Sequence, residues 1–343
     1  MPKVIALAQA LVVTMLTTIA GCATLDATLH PSLAHATAQK FQPEIAARIV
    51  ISIHDQKLVL LRGYTIAGSY SISTSRHGVG EVIDSGRTPR GIHAVAEKIG
   101  AGAALGIVFK DRVPTEEVVA VDTPDRSPIT TRILHLKGLQ EKNISTFERF
   151  IYVHGSPAEN TLGSPQSGGC IKLSATDIVR IFDEVDVNTE VLIYEEPIDA
   201  AIKLVREMDL RLVALTNLAE SGALEPIRKL CVGAVFGTDG FSMNDSVAMR
   251  WCTAGALQQD ALTITMIGEL HERGRGFVQN MSEARRAYEA GFKLGNPHAL
   301  YKLALMYKDG IGGAKYESFA RDYFERLAKQ GHSGAKKVLA DGF

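Results

Sequence analysis

The stretch HGSPAENTLGSPQSGGCIKL, from His154 to Leu173, is the most informative part of this chain for both fold and function. It follows the apolar run FIYV and ends just before Ser174, where a capping residue and apolar residues at helical spacing indicate a helix. The histidine therefore stands at the end of a predicted strand, and Cys170 stands between a Gly/Ser/Pro-rich loop and a capped helix. Because an imidazole within hydrogen-bond reach activates a thiol as a nucleophile, the two residues are a candidate catalytic pair.

Two glycines precede this cysteine. Gly168 and Gly169 remove side chains beside the sulfur, so the backbone N–H groups of Gly169 and Cys170 can approach a substrate carbonyl as an oxyanion hole. Each ingredient is weak by itself, since a cysteine near glycines is most often inert and a strand-end histidine is most often a surface residue. The combination carries the prediction.

Short strand-like runs surround this stretch. β-Branched and apolar residues, separated by glycine and proline turns, occupy residues 49–53, 57–61, 69–73, 131–136, 150–153 and 190–194. Short strands with frequent turn signals indicate an all-β barrel or sandwich. The sequence therefore predicts a mainly-β domain with one or two helices, one of which begins after Ser174.

The sequence HG at 154–155, a loop, and SGGCIK at 167–172 resemble the pattern of the YkuD-type L,D-transpeptidases. That family carries His-Gly, a loop, and then Ser-x-Gly-Cys-hydrophobic-Arg. Gln56 with its flanking strands is similar to the opening hairpin of the family, and TPRG at 88–91 is similar to its TPxG segment. The resemblance covers residues 46–196, which it identifies as an L,D-transpeptidase catalytic domain.

The resemblance implies acyl transfer on the tetrapeptide stems of peptidoglycan, with Cys170 as the nucleophile and His154 as general base and later general acid. The carbonyl of Gly155 would orient the imidazole, the N–H groups of Gly169 and Cys170 would line the oxyanion hole, and Ser167 would shape the turn. A thioester would form on Cys170 as D-alanine leaves. An amine would then take the acyl group, which gives a 3→3 cross-link or attaches a protein.

This chain departs from the family pattern at two candidate substrate-binding positions. Gly168 stands where many members have histidine, and Lys172 stands where they have arginine, so the charge is kept without the two-pronged grip on a carboxylate. Three alternatives remain open: an L,D-carboxypeptidase with water as acceptor, a decayed scaffold that only binds peptidoglycan, and a general cysteine hydrolase of proteins. The implied reaction needs no cofactor. A metal is not expected, because His154 and Cys170 lack the paired spacing of a zinc site.

Residues 1–21 have the pattern of a lipoprotein signal peptide. A positive start is followed by an apolar run that ends in IAGC at 19–22. This tetrapeptide resembles the bacterial lipobox, in which Cys22 is lipidated and becomes the mature N-terminus; an ordinary signal peptide or an uncleaved anchor is the alternative. We expect an exported protein held by lipid on the periplasmic side of the membrane, with residues 22–45 as a tether. Ala23 favours the outer membrane.

From about residue 198 the sequence becomes rich in alanine and leucine at helical spacing. Three glycines follow one another at intervals of 36 residues, and three alanines keep the same interval: Gly240, Gly276 and Gly312, and Ala248, Ala284 and Ala320. This period resembles Sel1-like repeats, relatives of the tetratricopeptide repeats, and predicts an all-α solenoid over residues 198–343. The resemblance implies a concave face that binds a protein partner. A helical spacer is the alternative.

The charge balance and the two remaining cysteines concern possible partners and cross-links. The chain has 37 Lys+Arg against 38 Asp+Glu, a formal net charge of -1 and no basic run, so we expect no nucleic-acid partner. Cys231 and Cys252, both in the first repeat, have two interpretations: a disulfide, or two buried thiols that act as small hydrophobes. We favour the buried thiols, because the sequence gives no distance between the two residues.

Overall fold

The computed structural model describes residues 47–123 and 127–343. The signal peptide, the lipidated Cys22 and the tether that the sequence predicts lie outside the described residues and remain predictions. Within those two ranges, no helix combines the length and the apolar character that a membrane span requires.

Ten strands form the first part of the described chain. They are β1 (Ala47–Ser52), β2 (Lys57–Arg62), β3 (Thr65–Ser71), β4 (Gly91–Ile99), β5 (Ile107–Lys110), β6 (Val113–Val118), β7 (Thr130–Gly138), β8 (Tyr152–Gly155), β9 (Ile171–Leu173) and β10 (Glu190–Tyr194). Between them lie the 3₁₀ helices η1 (Glu141–Thr146) and η2 (Glu159–Thr161) and the helix α1 (Ala175–Glu184). The predicted helix start is confirmed, because the hydroxyl of Ser174 caps α1 by accepting the N–H of Asp177.

The strands form one mixed sheet in the order β3-β2-β1-β10-β4-β7-β5-β6, to which β8 and β9 are added beside β7. The pairs β1–β10 and β8–β9 are parallel. The hairpin β1–β2 turns at Gln56, whose side-chain amide exchanges two hydrogen bonds with Thr74, each 2.8 Å long. The turn at Gln56 therefore also holds in place the segment after β3, which contains Thr74.

The central strands of the sheet are buried on both faces. One face packs with α1 in the largest apolar core, which includes Ile49, Ile51, Leu58, Leu134, Ile171 and Ile181. The alternate residues of the same strands, including Val50, Val59, Leu61 and Leu192, pack against Ala201 and Val205 of the first helix after the sheet. Because successive side chains of a strand point to opposite faces, a strand covered on both sides reads as a continuous apolar run.

The described residues 198–343 form eight helices: α2 (Ile198–Glu220), α3 (Leu224–Phe236), α4 (Asp245–Leu257), α5 (Ala261–Arg273), α6 (Met281–Lys293), α7 (Pro297–Asp309), α8 (Glu317–Lys329) and α9 (Ser333–Ala340). The predicted fold class, a mainly-β domain followed by an all-α segment, is confirmed. Ala248, Ala284 and Ala320, which mark the period in the sequence, are all fully buried. Small residues thus lie where the helices pack together.

Buried polar contacts attach the helices to the sheet. Arg48 of β1 donates to Asp209 of α2 over 2.7 Å, and its Nε lies 3.3 Å from Glu190 of β10. Both partners of the first pair are almost fully buried, at 7 % and 2 % exposure. The side chain of Gln140, after β7, donates to the carbonyl of Gly237 at the end of α3 over 2.9 Å. The helical segment is therefore docked on the sheet.

Cys231 of α3 and Cys252 of α4 form a disulfide, so the favoured interpretation of two buried thiols is wrong. Their Cα atoms are 4.8 Å apart, within the range that a disulfide bridges. The contact comes from the antiparallel packing of α3 on α4, which sequence spacing does not give.

Candidate active site

Strands β8 and β9 bring the two candidate catalytic residues to one face of the sheet. His154 in β8 is the register partner of Lys172 in β9, and Cys170 directly precedes β9. Paired residues of neighbouring strands point to the same face, as do residues two apart on one strand. The alternate residues Val153 and Ile171 point into the core beneath α1. The side chains of His154, Cys170 and Lys172 therefore share the opposite face.

His154 is buried, and its imidazole is oriented by the backbone. Its Nδ1 lies 2.8 Å from the carbonyl oxygen of Gly155. Since a carbonyl only accepts, Nδ1 carries the hydrogen and Nε2 keeps a free lone pair. Burial, opposed by the hydrogen bond to Gly155 and assisted by the charge of Lys172, lowers the pKa of His154 to about 4. At neutral pH the ring is therefore an uncharged base.

The surroundings of Cys170 favour the protonated form of its thiol at neutral pH. Burial raises the pKa of the thiol to about 11, against the opposing effects of the Tyr152 N–H and of the positive charges of Lys172 and Arg149. The sulfur accepts the Tyr152 N–H over 3.4 Å and donates to the carbonyl of Phe150 over 3.5 Å. These two backbone groups hold the sulfur beside the first residue of β8.

The direct hydrogen bond that we expected between His154 and Cys170 is not formed in the described structure. The two side chains share a face, but the sulfur bonds to backbone groups on the near end of β8 instead. The reason is the register: Cys170 lies level with Tyr152, one step before the first paired residues of β8 and β9, Val153 and Ile171. The sequence reveals the pair but not this offset.

Gly155 is required by a close approach of β7. A Cβ added to it would lie 2.7 Å from the carbonyl oxygen of Thr130 and 3.0 Å from Ile178. At this point β7 bulges: Thr130 pairs with Gly155 and Ile133 with His154, and Thr131 has a φ of 69°, which is strained for a β-branched residue. The bulge therefore lets β7 stay paired with β8 up to Gly155, next to the residue that carries the imidazole.

The two backbone N–H groups predicted to form the oxyanion hole differ in whether they are free to bind a substrate oxygen. The Gly169 N–H donates to the hydroxyl of Ser167 over 3.1 Å, and that hydroxyl donates to the Cys170 carbonyl over 2.6 Å. Ser167 thus shapes the turn through its side chain. The Cys170 N–H has no acceptor among the described residues, so in this conformation it is the available donor of the two.

The two candidate substrate-binding residues lie in different surroundings. Gly168 is exposed, and a Cβ added to it would meet nothing within 4 Å. Lys172 is 9 % exposed and donates to Ser127 over 2.7 Å, and Ser127 in turn lies 3.2 Å from the hydroxyl of Ser156. Burial and the charge of Arg76 lower the pKa of Lys172. The lysine charge is therefore held inside the site.

Three further residues contribute to the site without having been predicted from the sequence. Arg149 holds the chain before β4 through the carbonyls of Gly80 and Arg87, at 3.0 and 2.6 Å, and its charge acts on the thiol. Tyr152 supplies the N–H that contacts the sulfur, and Ser127 binds Lys172. No local signal marks Arg149 or Ser127, because both approach the site from elsewhere in the chain. For Tyr152, the only sign in the sequence was its position within the apolar run FIYV, two residues before His154.

Across residues 47–123 and 127–343, no group of three or more His, Cys, Asp or Glu side chains is placed to hold a metal ion. The groups that the site offers for chemistry are the neutral imidazole of His154, the thiol of Cys170 and the backbone N–H of Cys170.

The family model of the L,D-transpeptidase catalytic domain, YkuD, matches residues 46–193. The mixed-sheet part of the chain is therefore an L,D-transpeptidase catalytic domain. Residues 154–172, which resemble the YkuD-type motif, lie within the matched range. No curated protein matches the chain.

Solved structures are similar to each part of the chain. L,D-transpeptidase 3 from Mycobacterium tuberculosis, in complex with a faropenem-derived adduct, is 21 % identical over 44 % of this chain and 60 % of that chain, with a TM-score of 0.30. An L,D-transpeptidase from Mycobacterium smegmatis is 16 % identical over 43 % and 58 %, with a TM-score of 0.29. This chain thus spans about three fifths of those two proteins. A Sel1 repeat protein from Oxalobacter formigenes, similar to the helical part, is 31 % identical over 38 % and 98 %, with a TM-score of 0.34.

Proposed function

We propose that this protein is an exported cysteine L,D-transpeptidase that acts on the tetrapeptide stems of peptidoglycan. The main support is the position of His154 in β8 and of Cys170 directly before the parallel neighbour β9, inside a domain that matches the L,D-transpeptidase family. The hydrogen bond from Nδ1 to Gly155 leaves Nε2 of the histidine as the basic atom. The protein therefore has a thiol, a neutral base and a backbone donor for acyl transfer.

In the first half of the reaction, Cys170 attacks the carbonyl carbon between the third stem residue and the terminal D-alanine. Because the thiol is protonated and the imidazole is neutral, the proton moves from Sγ to Nε2 of His154 as the S–C bond forms. The carbonyl electron pair moves to oxygen, which accepts the Cys170 N–H. On collapse the C–N bond breaks, His154 returns the proton to the leaving amine, and a thioester remains.

In the second half, an acceptor attacks the thioester, gives a proton to His154, and releases the thiol with that proton. An amine of a neighbouring stem gives a 3→3 cross-link, and a protein lysine gives a wall-attached protein. Water gives a tripeptide, which makes the enzyme an L,D-carboxypeptidase.

The charges around the sulfur suit this substrate. Arg149 and Lys172 act electrostatically on the thiol, and Arg76 acts on Lys172. Stem peptides carry free carboxylates, and a site surrounded by fixed positive charge attracts them. Lys172 would contact such a carboxylate as a point charge, because an ammonium does not offer the planar fork of arginine.

The test incubates the full chain with a disaccharide-tetrapeptide and, separately, with a carbapenem, whose strained ring acylates an activated thiol. We expect an adduct on Cys170 by intact and peptide mass, free D-alanine from the tetrapeptide, and neither product with Cys170→Ala. Dimers identify an amine acceptor, and tripeptide without dimers identifies water. An absence of adducts from both donors would instead favour a binding scaffold, and cleavage of an all-L peptide would favour a general hydrolase.

We also propose that Cys22 carries lipid on the periplasmic side of the membrane and that the helical repeats bind a protein partner. The support is the IAGC sequence for the first and the repeat period for the second. Labelled palmitate tests the anchor: incorporation lost in Cys22→Ser supports it, and no incorporation in the unchanged protein rejects it.

A further inference from the structure

Thr88 is a buried residue whose hydroxyl lies beside the candidate nucleophile. It is fully inaccessible to solvent, and its backbone is bound on both sides: its N–H donates to Gly78 over 3.1 Å and its carbonyl accepts from Gly80 over 3.0 Å. Pro89 follows, and a residue before proline is restricted to extended conformations. The hydroxyl is therefore held in one place before any substrate arrives.

The Thr88 hydroxyl makes two further hydrogen bonds. It accepts the Ser75 N–H over 3.0 Å, and it donates to the carbonyl of Gly169 over 2.9 Å. Because the N–H of Ser75 occupies the acceptor side of the hydroxyl, the hydroxyl hydrogen points at Gly169.

The Gly169 carbonyl and the Cys170 N–H belong to the same peptide unit. The described residues contain no cis peptide bond, and in a trans peptide the carbonyl and the N–H point in opposite directions. A bond that holds the Gly169 carbonyl towards Thr88 therefore turns the Cys170 N–H away from Thr88. Gly169 has a φ of 132°, in the region that favours glycine. Because a glycine backbone has more conformational freedom than that of other residues, a hydrogen bond to its carbonyl restricts the orientation of this peptide.

We propose that Thr88 is a positioning residue that sets the direction of the Cys170 N–H, the available donor of the oxyanion hole. Ser167 holds the peptide units on either side, through the Gly169 N–H and the Cys170 carbonyl. Two hydroxyls thus restrain three consecutive peptide units around the nucleophile. The inference rests on the proposed function, because it assumes that a carbonyl is attacked at Cys170.

The experiment compares two reactions of Cys170. Acylation by p-nitrophenyl acetate passes through an oxyanion, whereas alkylation by iodoacetamide displaces iodide at a saturated carbon and forms none. Thr88→Val keeps the shape of the side chain and removes the hydroxyl. We expect the ratio of acylation to alkylation rates to fall about 10- to 100-fold. This is less than the loss of about 10²- to 10³-fold that follows removal of an oxyanion-hole donor, because the Cys170 N–H is kept and only its direction is released.

Two matched variants accompany it. Thr88→Ser keeps the hydroxyl and restores the ratio. Thr265→Val removes another fully buried threonine hydroxyl, which donates to the carbonyl of Ala261 over 2.6 Å in α5, and leaves the ratio unchanged. If Thr88→Val does not fold, Thr88→Ala at low temperature replaces it in the same comparison.

The inference would be overturned if Thr88→Val had the same ratio of acylation to alkylation rates as the unchanged protein. That result covers both unchanged rates and equal losses in the two rates, since equal losses indicate a general distortion of the site. The small ester needs no recognition of a stem peptide. The comparison therefore remains decisive for Thr88 even if the tetrapeptide gives no product and the proposed substrate is wrong.

Discussion

The alkylation rate of Cys170 should rise about tenfold for each pH unit between about pH 6 and about pH 10, without a plateau. The thiolate is the reactive species, and burial raises the pKa of this thiol to about 11. The imidazole of His154, with a pKa lowered to about 4, is uncharged throughout this range and provides no positive charge to stabilise a thiolate. The rate should therefore follow the thiolate fraction of an isolated thiol.

The size of the effect follows from the pKa values. At pH 7 a thiol with a pKa of about 11 is ionised in about one molecule in 10⁴, whereas an ordinary cysteine with a pKa of about 8.5 is about 3 % ionised. The thiolate fraction is therefore about 300-fold lower. A more basic thiolate is more nucleophilic, which returns about a factor of ten. Cys170 should react roughly 30-fold more slowly than a cysteine in an unstructured peptide.

The assay is alkylation by iodoacetamide under pseudo-first-order conditions at several pH values, with the modified peptide identified by mass spectrometry. Cys170→Ser removes the labelled peptide and confirms the assignment. His154→Asn should leave the alkylation profile unchanged while it abolishes acyl transfer, because the histidine acts as a base during attack and not as a partner of a resting thiolate. A plateau below about pH 8 that disappears in His154→Asn would refute this reasoning, since it shows a preformed thiolate–imidazolium pair.

Two further predictions concern stability. Burial lowers the pKa of His93 to about 4, like that of His154, so below about pH 6.5 the unfolded chain binds protons that the folded protein does not. The free energy of unfolding should therefore fall by about 2 kcal/mol per histidine between pH 7 and pH 5. Urea unfolding of His93→Gln should show a smaller fall over the same pH range. Asp209→Ala leaves the buried Arg48 without its nearest partner and should cost about 3–5 kcal/mol, whereas the exposed Glu207→Ala on the same helix should cost less than about 1 kcal/mol; equal losses in urea unfolding would contradict the docking of α2.

The elements with a strong local pattern were predictable from the sequence. The β1–β2 hairpin, β7 and β10 are runs of β-branched and apolar residues, and the helix after Ser174 carries its own cap. Strands β4, β5, β6 and β9 were not predicted. Most side chains of β6 are exposed, and β6 contains a proline and two glutamates, while β9 is only three residues long. Such strands form because neighbouring strands pair with them, which a local pattern does not record.

The candidate site, too, was predictable from the sequence only in part. His154, Gly155, Ser167 and Cys170 were singled out from one continuous stretch. The structure joins His154 to Gly155 and Ser167 to Cys170 by hydrogen bonds, but it forms none between His154 and Cys170. The contributions of Arg149 and Ser127, and the occupation of the Gly169 N–H by Ser167, were not identified. Those contacts depend on where separate loops meet in space.

The sequence by itself determined which groups this protein has for chemistry: a thiol, an imidazole and flexible backbone around them, on a β-rich domain followed by helical repeats. These are properties of neighbouring residues in the chain, so a short motif and a period are enough to reveal them. Only the tertiary structure decided the state of those groups. The protonation of the thiol, the basic nitrogen of the imidazole, the free N–H and the disulfide all depend on burial and on contacts between distant segments, which exist only after the chain has folded.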